Sequence, residues 1–224
     1  MNKILELSLT EIKLFFREPA AVFWTLAFPA VWMAFFAVLF DKPYESSPIR
    51  EAHFLLPGAI GIVIAAVGFM GLASILVEYK EQGISRRYKV TPLGFPSLML
   101  AFILSNIASI AVGILIVFLV AIFGFDVPME SFGPISHLII VILLDLFMFF
   151  SLSFTIASFV KTSRSAMAVT MMIFMPMIFL SEFFLPIETM PDWLQPMAKA
   201  LPLTPLNRLL RDMICFGKSL GDNL

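Results

Sequence analysis

The chain has 224 residues, of which 60% are hydrophobic and 14% charged, with 15 Lys and Arg against 16 Asp and Glu. A mean hydropathy of +0.96 excludes an ordinary soluble domain, and a formal net charge of −1 offers no argument for a nucleic-acid partner. The single Cys215 excludes an intrachain disulfide and a cysteine-based zinc site.

Residues 1–19 place Leu5, Leu9, Ile12 and Phe16 at helical spacing on one face, with Lys3, Glu6, Lys13 and Arg17 largely off it. This predicts an amphipathic helix in the membrane interface, ended by Pro19. Glu6, Glu11 and Glu18 interrupt the segment, and a full-length apolar run follows it, so it does not read as a cleavable signal peptide.

Five apolar runs follow: 20–40, 54–77, 97–123, 135–160 and 166–186. About 20 apolar residues in a helix cross a bilayer core, and each run reaches that length. No residue alternation suggests barrel strands, and a helix satisfies its own backbone in lipid. The expected fold class is therefore an all-α integral membrane protein with five transmembrane helices in residues 20–186.

Basic residues set the expected orientation. The N-terminal segment carries Lys3, Lys13 and Arg17. The 78–96 linker carries Lys80, Arg86, Arg87 and Lys89, and the short 161–165 linker carries Lys161 and Arg164. The first intervening linker holds only Lys42 and Arg50, and the third holds none. The positive-inside rule puts the N-terminus and the two basic linkers in the cytoplasm of a multi-pass plasma (inner) membrane protein.

Several residues inside the runs carry specific expectations. The second run holds Gly58, Gly61, Ala65, Gly68 and Gly71, a pattern that lets helices approach closely. Asp145 lies about 15 Å into the fourth run at 1.5 Å per residue. A charge at that depth costs about 2.5–3.5 kcal/mol on insertion scales. It reads either as a pathway or proton-coupled residue or as one end of an interhelical hydrogen bond, for which Asn106 on the third run is a candidate partner. Met171, Met172, Met175 and Met177 surround Pro176 on the fifth run, either as ordinary packing or as an adaptable apolar surface. Glu182 is expected to reach interfacial water near the outer end of that run. His53 and His137 are expected to be solvated.

The 78–96 linker is too charged for lipid and too long for a tight turn. It reads as a short cytosolic helix broken near Gly83 and stopped before Pro92. Beyond the fifth run, Pro186, Pro191, Pro196, Pro202 and Pro205 exclude a long helix from the 187–224 segment. Two short helices fit instead, the first opened near Pro191 with Asp192 favourable at its start, the second opened with Thr204 as N-cap. Together they suggest a re-entrant hairpin at the outer leaflet. Gly217-Lys218-Ser219 ends like a phosphate-binding loop, but Asp212 stands where that motif needs glycine. No metalloprotease or serine-hydrolase motif occurs, so the chain is not expected to be an enzyme, and its energy must come from elsewhere.

The linker residues Glu78, Glu81, Gly83, Arg86, Arg87, Thr91 and Pro92 resemble the cytosolic loop of type-2 ABC transporter permeases, the membrane subunits of ABC exporters. Ile84-Ser85 departs from the family's more usual Thr-Leu pair. The start, Phe15-Phe16-Arg17-Glu18-Pro19, resembles the family too, as does the tail from Phe184 to Leu194 and from Leu201 to Pro205. The resemblance implies that those seven linker residues form a coupling helix and that the tail forms an extracellular re-entrant hairpin. It implies a separate cytosolic ATPase that binds the ATP, no cofactor on this chain, contact with membrane lipid, and a second permease copy as homodimer or heterodimer. It also implies six spans, so a further apolar run is expected after Leu224.

The reading that follows is a permease subunit of an ATP-driven export system. The alternative is an ion-coupled secondary transporter using Asp145. An intramembrane enzyme is disfavoured, because no paired catalytic groups occur. The transported substrate is not readable from the sequence.

Overall fold

The computed structural model describes residues 2–39, 51–84, 94–128, 132–183 and 187–218. Among these the regular structure is all helical, with no strand. Helix α1 (Asn2–Arg17) precedes five helices long and apolar enough to cross a membrane: α2 (Pro19–Leu39), α3 (Ala52–Glu81), α4 (Pro96–Gly124), α5 (Ile135–Phe159) and α6 (Ser163–Leu180). After α6 come a 3-10 turn (Ile187–Thr189) and two short helices, α7 (Gln195–Ala200) and α8 (Leu203–Phe216). The protein is an integral membrane protein.

Pro19 marks the first boundary, as expected. Glu18 leaves helical geometry at φ −100°, and Pro19 starts α2, where its missing N–H costs nothing. Helix α1 has three faces rather than two. Ser8 is buried, and Ile4, Leu7, Glu11 and Phe15 are partly covered. Leu5, Leu9 and Phe16 point outward, and Glu6, Lys13 and Arg17 form the exposed charged stripe.

Helix α3 is the axis of the bundle. Of its most apolar window 78% is buried, against 28–39% for the other four spans. The four spans around it therefore keep broad outward apolar faces, the expected state of helices solvated by lipid tails. Small residues on α3 set how close its neighbours come. A Cβ on Gly58 would collide with Phe183, and one on Gly61 with Asn207 and Leu203 of α8. Gly113 of α4 lies so close to Val63 and Leu26 that it joins α2, α3 and α4.

Three spans contain a wide π-turn, at Phe23–Ala27, Ala66–Gly71 and Val120–Gly124. The first lies just before Pro29, which has no N–H to continue an ordinary helical ladder; Phe28 N–H reaches back to Phe23 O instead. The second leaves carbonyls to be satisfied from outside the helix. Ser153 of α5 does so, its hydroxyl lying 2.8 Å from Gly68 O and 3.1 Å from Phe69 O.

The fifth run was expected to extend to Pro186, but α6 ends at Leu180. Ser181–Phe183 bend away, with Glu182 at φ +62°, a conformation uncommon for a residue with a side chain. The turn is held by what Glu182 meets.

Candidate functional site

The expected coupling region begins at the end of α3, where the helix runs past the apolar stretch to Glu81. Gly83 then takes φ +69°, a left-handed geometry that glycine adopts at no steric cost, so the helix stops there. Gln82 N–H bonds Glu78 O at 2.8 Å, and the Gln82 side chain bonds Glu78 Oε1 at 2.8 Å. Of the sequence-predicted site residues, Glu78, Glu81 and Gly83 are brought together here. Arg86, Arg87, Thr91 and Pro92 lie outside the described residues.

Two contacts tie this helix end to the α5–α6 turn. Glu81 Oε2 accepts a 2.8 Å hydrogen bond from Ser163 N–H, the first residue of α6. A carboxylate there meets the unsatisfied N–H groups and positive dipole end of the helix. Thr162 caps the same terminus, accepting from Ser165 N–H at 3.2 Å. Lys80 Nζ donates to Ala157 O at 3.2 Å, near the end of α5. On the other side Tyr79 donates to Glu11 of α1 at 3.2 Å. Burial pushes the Glu11 carboxyl above the ordinary carboxylate range, and the tyrosine hydroxyl partly opposes this. One turn of α3 thus touches α1, α5 and α6. The basic residues Arg17, Lys80, Lys161 and Arg164 belong to this end of the bundle.

The opposite end holds a denser cluster that the sequence reading did not foresee. Glu182 is 2% exposed rather than at the water interface. Its carboxylate pairs with Arg211 Nη1 at 3.0 Å and Arg208 Nη2 at 2.6 Å, and its carbonyl accepts from Arg211 Nη2. Arg208 also reaches the exposed Glu188 at 3.0 Å. Asn207 donates to Ser181 O at 2.8 Å, and the Arg211 guanidinium lies 3.8 Å from the centre of the Phe54 ring. Glu182 holds Arg208 more firmly protonated; burial pulls Arg211 the other way, against the same carboxylate.

His53 is also corrected: it is buried, with Nε2 2.9 Å from Ile214 O, while Cys215 Sγ donates to His53 O at 3.3 Å. Thr204 does not cap α8. Helix α8 starts two residues earlier than that cap implies, at Leu203, and the Thr204 hydroxyl donates to Ala198 O at 2.6 Å, closing α7 onto α8. Gly217, at φ +62°, is the C-terminal stop of α8, which accounts for the glycine of the Gly-Lys-Ser sequence. One signal for this cluster was available: Leu203, Leu206, Leu210 and Ile214 give α8 an apolar face, and Asn207 and Arg211 lie on that same face.

Asp145 and Asn106 are both buried but do not bond each other. Asn106 Nδ2 donates to Phe102 O of its own helix at 2.9 Å, and neither Asp145 oxygen has a hydrogen-bond partner among the described residues. No group of His, Cys, Asp and Glu among the described residues is arranged to hold a metal ion.

Residues 2–214 match the family model described as ABC-2 type transporter. The chain is similar to the daunorubicin resistance ABC transporter permease protein DrrB1 of Streptomyces coeruleorubidus, 23% identical over 192 residues. It is also similar to ABC transporter G family member 20 of Dictyostelium discoideum, 24% identical over 177 residues. These matches cover 83% and 79% of this chain but only 65% and 24% of the respective relatives. With the match running from α1 through α8, the chain belongs to the ABC-2 type transporter family.

Proposed function

We propose that the chain is the membrane permease subunit of an ATP-driven export system, energised by a separate cytosolic ATPase. The observation that carries this is the junction at the end of α3. A force applied to the 78–96 linker passes through Glu81 to the start of α6, through Lys80 to the end of α5, and through Tyr79 to α1. Under this reading Glu78, Glu81, Gly83, Arg86, Arg87, Thr91 and Pro92 form the coupling element, and ATP is held by the partner, not by this chain.

The orientation follows the basic residues: α1, the linker and the α5–α6 turn face the cytoplasm of the inner membrane. The α7–α8 hairpin then sits at the outer leaflet, where protein contacts satisfy its ends. A second permease, identical or homologous, completes the path. Leu143, Leu144, Phe147 and Met172 provide outward apolar surface for lipid or for that copy.

Two measurements test the proposal. Cysteines placed at Ser46 and Met129 should react with an impermeant thiol reagent from outside the cell, and one at Gln82 should not. Native Cys215 stays silent in this assay, because it is buried and its thiol is pushed up to about 12. External labelling of position 82 would invert the orientation. Transport by the reconstituted permease and ATPase should require ATP and stop with vanadate. Vanadate-insensitive transport driven by an ion gradient would instead support the Asp145 alternative.

A further inference from the structure

A cavity of about 60 Å3 lies where α1 crosses α2, α3 and α4. Its polar lining is Glu11 from α1, Thr25 from the π-turn of α2, and Ser105, Asn106 and Ser109 from α4. Most of the hydrogens on these groups are already committed. Thr25 donates to Ala21 O at 2.6 Å, Ser105 to Phe102 O at 2.8 Å and Ser109 to Ser105 O at 3.0 Å. One Asn106 N–H goes to Phe102 O, and Glu11 Oε1 is engaged by Tyr79. What remains is acceptor capacity: hydroxyl lone pairs, the Asn106 amide oxygen and Glu11 Oε2, against a single second N–H on Asn106.

The cavity surface is mostly apolar, and its few uncommitted polar groups are mainly acceptors with one carboxyl among them, an arrangement that disfavours anions and suits a cation that brings its own N–H donors. The rest of the lining is apolar and includes the rings of Phe15 and Phe102. Aromatic rings favour an organic ammonium, whereas a hard metal ion would want about six oxygen ligands. The space fits a head group of a few heavy atoms, since about 10–15 Å3 of such volume holds one water. A bulky body must stay outside the cavity.

We infer that this cavity binds the primary ammonium group of an amphipathic molecule, with Glu11 as its counter-charge and the hydroxyls of Thr25, Ser105 and Ser109 as acceptors. The site shares Glu11 with the junction at the end of α3, where Tyr79 engages one of its carboxylate oxygens, but its ligand does not depend on the transport reading. The same chemistry is supplied by an ethanolamine lipid head group or by a free amphipathic amine.

The test uses the full chain in nanodiscs of phosphatidylcholine and phosphatidylglycerol, titrated with n-octylammonium, n-octyl sulfate or sodium chloride, with thermal unfolding as readout. Octylammonium should raise the midpoint of the unsubstituted protein. E11Q should shift the half-saturating concentration upward at least about tenfold, while E6Q, on the exposed stripe, should leave it unchanged. Should E11Q fold poorly, S109V keeps the charge, fills the space and should also weaken binding. Lipid extracted from protein purified out of phosphatidylethanolamine-containing membranes separates the sources. Phosphatidylethanolamine retained by the unsubstituted protein and lost from E11Q identifies the lipid head group; octylammonium binding without such retention identifies a free amine. Equal octylammonium binding by the unsubstituted protein, E11Q and S109V would overturn the assignment. So would octyl sulfate or sodium chloride matching octylammonium.

Discussion

The two ends of the helical bundle are fastened in opposite ways. At the α3 terminus, three neighbouring elements are each held by only one or two hydrogen bonds, and Lys80, Glu81 and Ser163 are exposed to solvent or nearly so. At the far end, Glu182, Arg211, Asn207 and His53 are buried, and they stitch α8 and the bend after α6 onto the start of α3. Exposed hydrogen bonds contribute little and can break and re-form, whereas a desolvated ion network is costly to open from one side. The contrast suggests one end suited to being moved and one suited to staying fixed, with the tightly packed α3 connecting them.

The largest expected effect tests the fixed end. R211M leaves Glu182 buried without its inner partner and should cost about 3–5 kcal/mol, seen as a lower thermal midpoint and poor yield in detergent. Replacing both members, in R211M/E182L, should recover much of that loss, since two apolar groups need no partner. E188Q, which removes only the exposed member, should change stability by less than about 1 kcal/mol. If R211M and E188Q are equally mild, the far end is no firmer than the near one.

A smaller loss is expected from the packing that joins the ends. G61V would drive a side chain into Asn207 and Leu203. Overpacking of this kind costs about 1–3 kcal/mol, and α8 should detach before the spans do, read as faster proteolysis after residue 187. Uniform loss of all helical signal, with no early cleavage, would mean that α8 is not separately docked.

The smallest stability change should come from the movable end. E81A removes one contact to the α6 terminus, worth about 1 kcal/mol, with the thermal midpoint nearly unchanged. Under the coupling proposal, transport should nevertheless fall severalfold while membrane insertion is kept. Normal transport by E81A would reduce Glu81 to a helix cap.

These tests also separate what was legible beforehand from what was not. Hydropathy and length showed five spans because the bilayer imposes a local, additive requirement on each helix. Helix punctuation was legible for the same reason: Pro19 and Gly83 act through their own backbone geometry. The amphipathic character of α1 was visible as well, but its second, protein-facing side was not. Leu5 and Leu9 announce themselves by spacing, whereas Ser8 and Glu11 become an inner face only when α4 lies against them.

Sequence alone determined the class of solvent this chain lives in, the number and approximate place of its apolar helices, and its family. Those properties rest on composition, local periodicity and short motifs, which need no knowledge of distant neighbours. Only the tertiary structure decided the fate of the polar residues. Glu182 was expected in water and is buried against Arg211, 29 residues on. His53 was expected to be solvated and meets Ile214, 161 residues away. Asn106 was a candidate partner for Asp145 and bonds its own helix instead. A polar side chain in or near lipid must find whichever partner folding brings within about 3 Å, and that choice is set by the packing of whole helices.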